Sequence, residues 1–408
     1  MGNGAGPVKR ALAGLPAPFR APIMGERPHP IPRQAMNTDT LEKTAAIARE
    51  NGLDAIVATS PENFAYIAGF LVPSHHVLRW RHSMLAVRPN AEAAAFTVDM
   101  EESTVAGRLP GVPLTAWGEF TDDAMAVFAG MLSDLSLARG RIGIETDYLS
   151  ARDMDTLRRA LPKAEFVPAQ DLFNRARMIK TPREIEFLHR LSRVADEGIA
   201  EALAAVDAGS SEMTLAAALT RGIYARGAQD FKFMIVATGE RSQLPNVGPS
   251  ERVLAAGDIC RVEIFPVIDG YHAGVCRSAC VGAPPDHAER IWTILSDATK
   301  SLLELIRPGA STRDIYEAYL KMIAPLNMPP IAFVGHGIGL HLHEDPYLGT
   351  ARDWTLEPGM VLGIEPLIYR TGFGFGLQNK DMVAVTETGC RLLSDATDTT
   401  RLIRCGGG

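Results

Sequence analysis

The sequence predicts an α/β protein in two tandem domains, a smaller N-terminal α/β domain over 37–173 and a larger C-terminal α+β domain over 174–405. Three observations carry this. Short apolar runs alternate with capped helical stretches up to about residue 173. At Arg177 the pattern changes to long amphipathic helices set between strands, which describes an antiparallel sheet backed by helices on one face. And 408 residues with 46% apolar and 22% charged side chains suffice for two units with cores of their own.

Taken in order, residues 1–36 read as a proline-rich arm, with Pro28-His29-Pro30-Ile31-Pro32 at its centre, because proline removes the N–H that helix and sheet both need. Such an arm either moves freely or lies on the body or on a neighbouring subunit. Thr38 or Thr40 can cap a helix through Glu50, and Asp54 to Thr59 is a short apolar strand. Ser60-Pro61-Glu62-Asn63 starts the next helix, since serine caps and proline is tolerated in the first turn. Strands follow at Ser83 to Val87, Ala93 to Val98 and Arg141 to Glu145, with helices at Asp122 to Leu137 and Ala151 to Ala160. Thr181-Pro182 then opens a long helix to about Val206. Beyond it come a helix from Glu212 to Gly227, strands at Phe231 to Ala237 and Cys260 to Val267, and a turn at Asp269-Gly270. The return strand runs Tyr271 to Val281, followed by helices Asp286 to Ile306 and Thr312 to Leu326. Strands are expected around His336, at Val361 to Pro366 and at Leu377 to Thr386.

Composition excludes several functions. A net charge of −7 offers no general attraction to nucleic acid or anionic lipid, and no basic run compensates for it. No window reaches the roughly 18 apolar residues of a membrane span. The first residues lack the compact apolar core of a secretory signal, which points to the cytoplasm. Five cysteines without a Cys-x-x-Cys pair argue against a zinc ribbon or a disulfide scaffold.

Four clusters could carry chemistry. In Gly335-His336-Gly337-Ile338-Gly339 the flanking glycines leave the imidazole unshielded, and His341, His343 and Glu344 follow closely. In the hairpin, a two-residue turn at Asp269-Gly270 sets Val267 against His272 and Glu263 against Cys276. Glu263, Phe265 and Val267 then share a face with His272, Gly274 and Cys276. A glutamate among apolar strand residues must be paired or must raise its pKa. Glu365 and Lys380 are the other two, each a charge in or at the edge of a strand. The bland alternatives are a hydrogen-bonded histidine, a salt-bridged Glu263 and outward-facing Glu365 and Lys380.

These pieces in this order resemble the creatinase, aminopeptidase P and prolidase family, whose catalytic domain has the pita-bread fold. The resemblance covers roughly residues 38 to 402 and rests on Arg177-Met178-Ile179-Lys180, His336-Gly337-Ile338-Gly339-Leu340, His343-Glu344, Leu356-Glu357-Pro358-Gly359-Met360 and Glu365-Pro366. It implies a creatinase-like N-terminal domain and a pita-bread catalytic domain. In the dinuclear members two aspartates, a histidine and two glutamates hold two ions. These positions fall on Glu263, Gly274, His336, Glu365 and Lys380, so two of the five are kept and an ammonium replaces a carboxylate. Creatinase is the metal-free branch, and Phe265-Pro266 with Gly270-Tyr271 resembles it. Its catalytic histidine falls on Asn246 and its substrate-binding glutamates on Cys276 and Asn379, which makes creatine itself a poor fit. Arg81, beside Arg79 and Trp80, falls where creatinase offers an arginine to the substrate carboxylate across a dimer interface.

The leading expectation is therefore a metal-independent, homodimeric hydrolase without a cofactor, cleaving a C–N bond in a small carboxylate-bearing compound, as creatinase or ectoine hydrolase does. His336, His343, Glu263, Glu365 and Lys380 would be catalytic, and Arg79, Trp80, Arg81, Asn246, Tyr271, His272 and Cys276 would bind substrate. The alternatives are a metal-dependent Xaa-Pro peptidase with altered ligands, a lyase acting on a small zwitterion, and a non-catalytic binding module.

Overall fold

The computed structural model describes residues 38–407; the proline-rich arm expected over 1–36 lies outside them. The N-terminal domain runs α1 (Thr38–Glu50), β1 (Ala55–Ala58), α2 (Pro61–Ala68), β2 (Met84–Val87), β3 (Ala93–Val98), α3 (Glu102–Arg108), β4 (Leu114–Trp117), α4 (Ala124–Asp134), β5 (Arg141–Ile144), α5 (Ala151–Ala160), β6 (Glu165–Pro168) and α6 (Gln170–Met178). Its six strands form one sheet in the order β4-β3-β2-β1-β5-β6. β2 runs antiparallel to β1 and β3, while the outer pairs are parallel. Ser60 caps α2 through the backbone N–H of Asn63, and Ser150 forms a reciprocal capping box with Asp153 at α5. Phe96 of β3 packs on Phe128 of α4 with ring centroids 5.1 Å apart, at the centre of an aliphatic core that covers one sheet face.

The C-terminal domain continues with α7 (Pro182–Ala204), α8 (Glu212–Ala225), β7 (Asp230–Thr238), β8 (Ile259–Ile268), β9 (Tyr271–His272), β10 (Val275–Cys280), α9 (Ala288–Leu305), α10 (Thr312–Ile323), β11 (Phe333–Gly337), β12 (Glu344–Gly349), β13 (Val361–Ile364), β14 (Leu367–Ile368), β15 (Leu377–Gln378), β16 (Asp381–Val385), β17 (Cys390–Leu392) and β18 (Ile403–Arg404). Thr181 and Glu184 make a capping box around Pro182 at the start of α7. Trp292 and Leu295 of α9 and Tyr319 of α10 belong to one buried core with Leu362 and Ile364 of β13.

Two five-stranded sheets replace the single antiparallel sheet that was expected. One joins β18-β10-β8-β7 with β9 on β8, and the other has the order β12-β11-β13-β16-β17. The reason lies at Asn379-Lys380. The expected strand Leu377 to Thr386 breaks there, because the Lys380 backbone leaves β16 and exchanges hydrogen bonds with Cys276 of the other sheet, at 3.1 and 3.2 Å. Arg277 holds the crossing in place. Its buried guanidinium reaches the Lys380 carbonyl (2.8 Å), Asn379 Oδ1 (3.1 Å), Asp196 of α7 (2.9 Å) and Asp381 (2.9 Å).

The hairpin register is the expected one. Asp269 and Gly270 both have positive φ, 48° and 91°, as a tight two-residue turn requires, and glycine takes the second without strain. Val267 pairs with His272 and Glu263 with Cys276. Gly274 faces Phe265 so closely that a Cβ there would lie 2.4 Å from the ring.

Candidate active site

Four charged or ionisable side chains meet between the two sheets. Glu263 comes from β8, His336 from β11, Glu365 from just after β13 and Lys380 from the break before β16. All four are buried. The Lys380 ammonium donates to Glu263 Oε1 (3.1 Å) and to His336 Nε2 (2.9 Å), and lies 3.4 Å from Glu365 Oε2. It also sits 4.7 Å from the centre of the Phe265 ring. Gln378 Nε2 spans both carboxylates, donating at 3.2 Å to Glu263 and at 3.2 Å to Glu365.

The His336 tautomer follows from its neighbours. Nδ1 lies 2.8 Å from the Gly337 carbonyl, so Nδ1–H donates and Nε2 is left to accept from Lys380. Burial and the adjacent ammonium hold this imidazole well below its usual range, so it is neutral. A register shift between His336 and Gly337 sets Glu344 opposite Gly337, and the preceding His343 lies over the His336 ring, with centroids 3.7 Å apart. His343 is itself exposed at the cavity, and partial desolvation under the stacked ring with the Lys380 charge brings its pKa down to about 4.

The charges are unequal in number, and this decides the behaviour of Glu365. One ammonium faces two carboxylates. Burial acts to lower the Lys380 pKa, but Glu365 and Glu263 together outweigh it and keep the ammonium charged. For Glu365, burial and Glu263 outweigh Lys380 and push the carboxyl up to about 7. Its Oε2 receives Gln378, whereas Oε1 is buried and has no hydrogen-bond partner.

The cluster opens into a cavity of about 430 Å³ lined by Glu263, Glu365, Lys380, His343 and Asn246, with walls from Phe233, Phe265, Phe333 and Tyr369. This size suits a small molecule or a dipeptide. Of the residues expected at the site, Glu263, His336, His343, Glu365 and Lys380 converge, and Asn246 lines the cavity. Others are placed elsewhere. Tyr271 is buried with its hydroxyl donating to Glu184 (2.8 Å). His272 contacts the Gly339 carbonyl and borders a separate cavity of about 280 Å³. Cys276 is fully buried beneath the cluster. Arg79 donates to the Tyr148 carbonyl, and Arg81 is paired with Glu119 at 2.8 Å. Trp80 is exposed. None of these three lines the cavity within one chain. Glu344, read beside His343 as part of the cluster, instead accepts from Arg177 (3.1 Å), Lys180 (3.0 Å) and the backbone of Leu340 and His341. Gln378 and the aromatic walls were not anticipated; Gln378 carried a signal only in standing two residues before Lys380.

The two-domain chain with this crossing of two sheets has the architecture that the sequence resemblance implies. Comparison with known proteins makes the assignment specific. The model for the creatinase/prolidase N-terminal domain matches residues 41–179, and that for metallopeptidase family M24 matches 186–387. The probable dipeptidase PepE of Mycobacterium tuberculosis is 30% identical over 357 residues, covering 86% of this chain and 92% of that protein. The Xaa-Pro dipeptidase of Pyrococcus furiosus is 27% identical over 361 residues, covering 87% and 97%. Among solved structures, the Xaa-Pro dipeptidase from Bacillus anthracis superposes with a TM-score of 0.78 at 26% identity, covering 90% of this chain and 99% of that one. The chain belongs to the M24 metallopeptidase family.

These findings overturn the leading expectation of a creatinase-like hydrolase of a small non-peptide compound, and count against its metal independence. Relatives matching nearly the whole chain are named dipeptidases, and the family is described as one of metallopeptidases. They favour the peptidase alternative. The residues at the family's metal positions match a pair of metal ions only in part. Glu263, His336 and Glu365 converge as a ligand set would, but Gly274 supplies no donor and the Phe265 ring fills its side. The fifth position is Lys380, whose ammonium stands among Glu263, His336 and Glu365. His336, His343 and Glu365 do bring donor atoms within 4.8 Å of one another. Yet the same ammonium lies beside two of the three, so these residues as arranged do not fit a metal pair.

Proposed function

We propose that this protein hydrolyses the C–N bond of short peptides, as a dipeptidase-type enzyme whose cavity takes a dipeptide with apolar side chains. The names of its relatives support the peptide bond as target, and the aromatic walls of the cavity support apolar residues. The observation that carries the reading is the Glu365 carboxyl, buried at the cavity with one oxygen that makes no hydrogen bond, 3.4 Å from the neutral His336 Nε2, and a fixed ammonium beside it.

That arrangement performs both halves of a hydrolysis. Glu365 with a pKa of about 7 is ionised often enough to take a proton from water and remains acidic enough to return it. Water so activated attacks the peptide carbonyl, and the Lys380 charge stabilises the oxyanion. Collapse breaks the C–N bond, and the proton held by Glu365 passes to the leaving nitrogen. His336 acts as a positioning residue, since its Nε2 is engaged by Lys380. His343 at the cavity is the residue placed to contact substrate.

A homodimer in the cytoplasm is part of the proposal. The Arg79-Trp80-Arg81 turn would then face the partner's cavity, and five free cysteines are ordinary in a reducing compartment. Among the described residues no helix is long and apolar enough to cross a membrane.

The test is a panel of Xaa-Pro and non-proline dipeptides incubated with full-length protein, products being read by mass spectrometry, with Glu365→Gln in parallel. The expected outcome is release of free amino acids and a loss of about 100-fold or more in the variant. No cleavage of any dipeptide, or a variant as active as the parent, would refute the proposal. Running each assay with added manganese and with EDTA separates this mechanism from one in which a bound divalent ion supplies the charge, as the metallopeptidase description favours.

A further inference from the structure

We infer that Lys380 and a divalent cation compete for one position, the point between Glu263, His336 and Glu365, and that metal occupancy in this chain requires the lysine to leave. The inference concerns the site proposed for peptide hydrolysis but is read by metal content, so it stands or falls separately from turnover.

Three independent features fix the ammonium there. Its contacts come from three sides: Glu263 Oε1 at 3.1 Å, His336 Nε2 at 2.9 Å and Glu365 Oε2 at 3.4 Å. These are donor types that a hard or borderline divalent ion also selects, and His336 offers the Nε2 lone pair that a metal would use. The backbone of Lys380 is pinned by its two hydrogen bonds to Cys276 and by the Arg277 guanidinium on its carbonyl, so the side chain starts from a fixed base. And the strand opposite leaves room for the stem. Position 363 is a glycine at which a Cβ would lie 3.0 Å from Lys380 Cε, tighter than an ordinary contact. A Cβ there would require the lysine stem to give by a few tenths of an ångström.

The position cannot hold both charges. An ammonium and a dication within a few ångströms repel strongly in a buried site, and the ammonium has no lone pair to offer while it stays protonated. Removing it frees the imidazole and both carboxylates together. Glu365 Oε1, which makes no hydrogen bond, and the adjacent His343, already within 4.8 Å of the His336 donor, would complete the set.

The experiment measures manganese and zinc bound to the full-length chain by equilibrium dialysis and elemental analysis, for the parent, Lys380→Gln and Lys380→Glu. The expected result is substoichiometric metal on the parent and one ion per chain on Lys380→Glu, bound about 100-fold more tightly or better, with Lys380→Gln also above the parent. Equal affinity in parent and Lys380 variants would overturn the inference. Should the variants not fold, anomalous diffraction from parent crystals soaked in manganese decides. A peak among Glu263, His336 and Glu365 with Lys380 still bonded to Glu263 refutes competition, and no peak there upholds it.

Discussion

Lys380 is flanked by two carboxylates, and the imbalance of one positive against two negative charges gives Glu365 its usefulness. With both oxygens of Glu263 engaged, by Lys380 and Gln378, the spare proton affinity falls on Glu365, whose Oε1 makes no hydrogen bond. Replacing Lys380 by Met removes the charge that holds Glu365 down, so its pKa should rise above about 7. We expect this variant to keep its far-ultraviolet circular dichroism while losing about 100-fold or more in dipeptide kcat. Unchanged kcat would remove Lys380 from the mechanism. His343 and Glu344 show why adjacent residues in sequence were misgrouped. His343 ends the loop before β12 and lies over the His336 ring, whereas Glu344 opens the strand and turns to Arg177 and Lys180.

At the scale of elements, the site depends on loops and crossings held by buried ion pairs. Glu344 joins α6 and the segment after it to the loop that carries His343, and its two cations outweigh burial to bring its carboxyl down to about 2. A folded-state pKa below the unfolded one contributes stability that is present above about pH 4.5 and is lost as pH falls toward 2. The difference corresponds to about 3 kcal/mol. Glu344→Gln should therefore cost about 3–5 kcal/mol at pH 7 by urea unfolding, because it leaves Arg177 and Lys180 buried without their partner. Much of this level was legible beforehand. The Asp269-Gly270 turn fixed the register, and with it the pairing of Glu263 and Cys276. The split at Asn379-Lys380 was not legible, because Leu377 to Thr386 alternates like one strand and the crossing depends on Arg277, a hundred residues away in sequence.

Across the whole molecule, the order of strands and helices and the motif glycines were enough to place the chain in its family, since they determine which elements pack together. Substrate class was not readable in the same way. The cavity walls come from Phe233, Phe265, Phe333 and Tyr369, on separate elements with no shared motif. The small domain's Arg81 is tied to Glu119 and lies away from the cavity of its own chain, so a role in substrate binding requires a second subunit. Light scattering should give a mass of twice the 44.0 kDa chain, and Arg81→Ala should raise KM for dipeptides more than it lowers kcat. A monomer with full activity would confine the function to one chain.

The pH dependence of kcat/KM for dipeptide hydrolysis tests the central claim most directly. If Glu365 is the base, the rate should climb as the carboxyl ionises, with a midpoint near 7, and that limb should vanish in Glu365→Gln. A profile flat from pH 6 to 8, or a limb that survives the substitution, would contradict the account.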